Sequence, residues 1–130
     1  MISPTGSLEI RSDSEGDGHF LAKRGHRLHH GVDLKVFPGQ PIVAPVPCLI
    51  VREAYPYAGD TKWRGVELRA SGMVIHIYYM VVDEILLGTE VLQGEQIGIA
   101  QNISQKYSSA MTPHIHLEIK AINPINLIGL

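Results

Sequence analysis

The sequence predicts an all-β fold, an antiparallel sheet or sandwich, on three observations. Apolar and β-branched residues come in short runs, Gly and Pro interrupt the chain throughout, and no stretch sustains the 3.6-residue periodicity of an amphipathic helix. At 130 residues and 45% hydrophobic side chains, the chain has enough material for one core without disulfides.

Taken in order, residues 1–18 are rich in Ser, Gly and Asp and read as a loose N-terminal arm, with 19–130 forming a single domain. The run from Ala44 to Val51 ends in apolar, β-branched residues and is expected to be a strand. Gly65 to Arg69 alternates apolar and polar, as a strand with one wet face does. Met73 to Val82 is a longer apolar and aromatic stretch, expected to be one central strand. Gln96 to Ala100 and His114 to Ile119 complete the set, and Gly-containing turn signals such as Phe37-Pro38-Gly39-Gln40 separate the segments.

Composition narrows the function classes. The formal charge is −2 with no block of basic residues, which argues against a nucleic-acid partner. No run approaches the roughly 20 apolar residues of a membrane span, and the opening MISPTGSLEI lacks the basic start and apolar stretch of a signal peptide. Localisation is left open. The lone Cys48 lies in an apolar run and reads as a small core residue rather than a nucleophile.

The chain holds seven histidines, and their placement carries the chemistry. In a strand, His114 and His116 project from one face, so both imidazoles reach one spot while Ile115 turns away. On a straight strand His29 and Asp33 would be about 13 Å apart, but Gly31 between them permits a bend. Two imidazoles and a carboxylate form a familiar zinc set, with a fourth position left for water. Taken alone, the His-x-His spacing fits the bland alternative, half-exposed polar residues on a wet face, better than a metal site.

These residues also carry a resemblance. Arg27 to Leu34 (RLHHGVDL) resembles the R-x-H-x-G-x-D segment of the M23 (LytM/lysostaphin-type) zinc peptidases, and His114 to Glu118 resembles that family's H-x-H-x-E segment. Val43-Ala44-Pro45, Gln93 to Gly98 and Asn123-Pro124 match further landmarks in the same order. The resemblance implies an antiparallel β fold with zinc at the floor of a groove. It makes His29, Asp33 and His116 the ligands, choosing His29 over His30, and His114 the catalytic histidine. It also implies a bacterial cell-wall peptide or glycan as the partner, and a cell-wall, extracellular or phage-associated setting.

One position departs from the family pattern. Active members carry a second catalytic histidine in a Y-x-H segment, and here that position reads Met80. A thioether neither donates a hydrogen bond nor transfers a proton. This departure resembles the chemotaxin-like subgroup of vertebrates, which keeps zinc without peptidase activity. In a regular strand His76, Tyr78 and Met80 share one face and are the remaining groove candidates. His19, His26 and His30 are expected to be solvated.

Three functions follow from this pattern: a zinc-binding M23-like module that recognises wall peptide or glycan with impaired or no cutting, an active zinc-dependent peptidoglycan endopeptidase, and a structural zinc module of a phage or wall-associated assembly.

Overall fold

The computed structural model describes residues 1–24 and 27–122. Its strands run β1 (Ser12–Asp13), β2 (Gly16–Asp17), β3 (Lys23–Arg24), β4 (Arg27–Leu28), β5 (Val32–Lys35), β6 (Pro41–Val43) and β7 (Cys48–Ala54). They continue with β8 (Gly65–Ala70), β9 (Met73–Tyr78), β10 (Met80–Val82), β11 (Glu90–Val91), β12 (Gln96–Ala100) and β13 (His114–Ile122). Two short 3-10 turns, Glu84–Leu86 and Ile103–Gln105, are the helical elements among the described residues. None is long and apolar enough to cross a membrane.

The main sheet is antiparallel, in the order β11-β7-β8-β9-β13-β5, and a second sheet is ordered β10-β12-β6. Alternation along the strands assigns the two faces of the main sheet. Val66, Leu68, Ile75, Ile77 and Ile115 are fully buried in one core cluster, joined from the second sheet by Ile42, Met80, Val82 and Ile97. Asp33, Glu67, His76, Tyr78, His114 and His116 occupy the intervening positions and so share the opposite face. Cys48 is buried in that core, and burial pushes its thiol up to about 11, as befits an inert packing residue.

Two expectations are corrected. Residues 1–18 are not a loose arm. Ile2 N–H donates to the Pro45 carbonyl and Val43 N–H to that of Pro4, and Ile10 bridges Leu34. Lys35 N–H donates to Glu9, Asp33 N–H to Gly18 and Arg11 N–H to Asp33, so the segment pairs with the outer edge of β5. An uncovered edge is a row of unpaired backbone groups, and this segment satisfies it.

The run from Met73 to Val82 is not one strand either. Tyr79 adopts φ 68°, and both its N–H and that of Met80 donate to the Arg64 carbonyl. The chain turns there from the main sheet into the second sheet. The alternation is reset, which sends Met80 into the core at 0% exposure rather than into a groove with His76 and Tyr78.

Candidate metal centre

The antiparallel register sets His116 opposite Asp33 on one side and opposite Tyr78 on the other. His29 enters from the segment just before β5, held by paired backbone bonds with Ala22 and Leu21. Gly31 makes the approach possible, because a Cβ there would come within 2.7 Å of the His116 ring. Three donor atoms converge. His29 Nε2 lies 2.9 Å from His116 Nδ1 and 3.1 Å from Asp33 Oδ1, and the last two atoms are 2.9 Å apart. Among the described residues this is the one group of three or more potential ligand side chains.

The triangle suits a tetrahedral ion. Donors about 2.0–2.1 Å from zinc at tetrahedral angles lie about 3.3 Å from one another, close to the spacing found here. The outer contacts orient each donor. His29 Nδ1 donates to the His19 carbonyl at 3.0 Å, leaving Nε2 free as a lone-pair donor. Asp33 Oδ2 accepts from Arg11 at 3.1 Å and Arg24 at 3.4 Å, leaving Oδ1 turned to the imidazoles. His116 Nε2 lies 3.5 Å from Glu118.

Electrostatics divide the histidines. Burial holds His29 and His114 below the ordinary imidazole range despite the nearby Asp33 carboxylate, so both are neutral at pH 7. Burial also disfavours charge on His116, but the Asp33 and Glu118 carboxylates outweigh it and raise that imidazole to about 9. Its Nδ1 proton is the one a cation held by the three donors would displace. Glu118, bonded to His116, is correspondingly held down to about 2.

His114 stands beside the triangle. Its Nδ1 donates to the Thr112 carbonyl at 2.8 Å, which directs an unprotonated Nε2 toward the site, 3.6 Å from Asp33 Oδ2. Tyr79, unmarked by the sequence reading, meets His114 edge-on, and its hydroxyl bonds Tyr57, which in turn bonds Tyr107. These residues wall a groove of about 530 Å³ together with Tyr78, Arg11 and Met111.

Of the groove candidates, Tyr78 lines it and stacks on His116 at 6.1 Å. His76 lies behind, accepting from the Tyr78 hydroxyl at 2.6 Å while its other nitrogen donates to Glu67 at 3.0 Å. Met80 does not reach the groove. His19 and His30 are exposed, and His26, Asn123 and Pro124 lie outside the described residues.

Known proteins resemble this chain in sequence and fold. The family model for Peptidase family M23 matches residues 27–127. Leukocyte cell-derived chemotaxin-2 of Bos taurus is 30% identical over 114 residues, 86% of this chain and 74% of its own length. An uncharacterized metalloprotease of Haemophilus influenzae is 31% identical over 107 residues, 78% of this chain; the chain spans 21% of that protein. The fold is shared with a mutant catalytic domain of the prophage-encoded M23 protein EnpA from Enterococcus faecalis (TM-score 0.62, 21% identity, covering 95% of this chain and 88% of that one). It is shared also with the catalytic domain of the antimicrobial peptidase lysostaphin from Staphylococcus simulans (TM-score 0.57, 18% identity, covering 89% and 86%).

Proposed function

The chain belongs to peptidase family M23, and from that premise we propose that it is a zinc-binding, peptidase-like module. In this reading it holds a peptide or glycan of the bacterial cell wall in its groove and is impaired in cutting it. The observation that carries the reading is the neighbourhood of His114. The donor triangle is complete and His114 is poised next to it, yet the groove wall facing that imidazole is Tyr79, and Met80 is sealed in the core.

His29, Asp33 and His116 are the ligands, and the set fits zinc by donor type and spacing. Zinc bound there supplies a Lewis acid that polarises a carbonyl and makes water a nucleophile near neutral pH. The remaining work falls to side chains. His114, neutral and fixed in one tautomer, accepts a proton at Nε2. Tyr78 and Tyr79 offer flat aromatic walls to a bound chain. Among the described residues no second imidazole is positioned to donate to a developing oxyanion, and losing one such donor lowers a rate by about 10²–10³.

A second reading, a working peptidoglycan endopeptidase, is favoured by the preserved geometry of His114. Incubation with purified peptidoglycan, with and without chelator, separates the two. The proposed module sediments with the wall, contains stoichiometric zinc and releases little or no peptide. Chelator-sensitive release at the rate of active family members overturns it in favour of the peptidase.

A further inference from the structure

The N-terminal segment lies outside the residues matched by the family, yet it touches the metal centre at two points. Arg11, 4% exposed, donates from Nη1 to Asp33 Oδ2 and uses its other two nitrogens as a fork on Asp13, at 3.0 and 3.2 Å. Asp13 Oδ2 in turn accepts the Thr112 N–H at 2.7 Å. Thr112 is the residue whose carbonyl fixes the tautomer of His114. A single run of polar contacts therefore joins a proposed ligand to the proposed catalytic histidine through the arm.

A second observation supports the first. The Asp33 backbone is clasped on both sides by the arm, its N–H donating to Gly18 and its carbonyl accepting from Arg11. A Cβ on Gly18 would fall 2.5 Å from Asp33 Cβ and 3.1 Å from Arg11 Cβ, so only glycine allows the arm to close this tightly.

We infer that Arg11 and Asp13 of the N-terminal segment are a working part of the metal centre, acting as positioning residues for Asp33 and His114. The inference rests on the zinc-binding reading above. Arg11 occupies one oxygen of Asp33 and so presents the other to a cation, the role that outer-sphere partners of ligands generally play. Asp13 sets Arg11 from behind and steadies the Thr112 peptide.

The test measures zinc affinity by chelator competition and the His114 ring-nitrogen shifts by NMR, in the whole chain. Arg11→Lys keeps the positive charge but loses the fork, and should weaken zinc about 10–100-fold. Asp13→Asn should weaken it similarly and move His114 from one tautomer to a mixture, which loss of stability alone does not do. Ser12→Ala, on the same hairpin but bonded only to Asp17, should leave both readouts unchanged. The unsubstituted protein gives a further readout, since zinc should slow hydrogen exchange of the Arg11 and Gly18 amides by the reciprocal factor. Absence of stoichiometric zinc in the unsubstituted protein defeats the metal reading itself. Tight zinc with variants within twofold, an unchanged His114 tautomer and unprotected arm amides overturns the inference and leaves that reading standing.

Discussion

The ring of Tyr79 stands edge-on to the ring of His114, with centroids 5.5 Å apart and planes at 87°. The contact exists because Tyr79 sits at the positive-φ turn between the two sheets, so the groove receives Tyr79 and the core receives Met80. An imidazole is therefore expected to raise wall hydrolysis when placed at 79, not at 80. His tolerates the left-handed conformation better than most side chains. Tyr79→His should fold and increase peptide release about 10-fold or more, toward the ~10²–10³ that such a donor contributes. Met80→His should lower the melting temperature without a gain in release, because it buries a polar ring in an apolar cluster at about 1–3 kcal/mol. Wall digestion paired with thermal melts checks both.

Residue type and spacing suggested the three side chains that converge, and the resemblance to the family, not the spacing, singled out His29, Asp33 and His116. His-x-His in an apolar run and a glycine between His29 and Asp33 are local signals, and the close approach of Gly31 to the His116 ring is the physical reason for that glycine. The break at Tyr79 was not legible. It depends on Arg64 offering one carbonyl to two successive N–H groups, a tertiary event with no sequence pattern. The arm was misread for the same reason. Its Ser, Gly and Asp residues look like a solvated tail, and nothing local marks Arg11 as the partner of a carboxylate twenty-two positions away.

Gly31→Ala is expected to weaken zinc binding. The added methyl would meet both the Leu117 carbonyl, at 2.6 Å, and the His116 ring, at 2.7 Å. Backbone cannot yield cheaply, so His116 must move. Misplacing one ligand should reduce affinity about 10–100-fold, read by competition against a chromophoric chelator, with secondary structure retained by circular dichroism.

His76→Phe should destabilise the chain without abolishing zinc. The substitution removes the acceptor of the Tyr78 hydroxyl and the donor to Glu67. Glu67, held below the usual carboxylate range by that same donor, keeps its contact with Arg52 at 3.0 Å. The unmade bonds should cost about 1–3 kcal/mol, measured by urea unfolding, while stoichiometric metal content persists.

Removing metal should lower the melting temperature. A cation that binds only the folded chain stabilises it by about 2.7 kcal/mol at one hundred times its Kd. For a chain of this length that is roughly 10 °C. Chelator and zinc titrations of the melt check it, and Asp33→Asn should remove the zinc-dependent increment.

Acid should loosen the arm's anchor, with Asp13 one of the carboxyls responsible beside Asp33 and Glu118. Burial works against ionising Asp13, but Arg11 and the N–H groups of Thr112 and Glu15 outweigh it and hold the carboxyl at about 2, below its ordinary 3.8. A depressed folded-state value means the unfolded chain takes up the proton first, so folding gains stability above pH 3.8 and loses it as pH falls through about 2. Metal-free protein should therefore show a melting temperature that declines across that interval, and Asp13→Asn should start lower and decline less steeply. The alkaline side runs the other way. His116, raised to about 9, stabilises the metal-free fold fully below its ordinary 6.5, and that contribution fades as pH rises through 9. Zinc bound as proposed would take the same nitrogen and displace the proton, so the alkaline decline should disappear in the zinc-loaded protein while the acid decline at Asp13 stays. Melts of both forms across the pH range decide it, and an alkaline decline of equal size with zinc bound would assign that proton to another group.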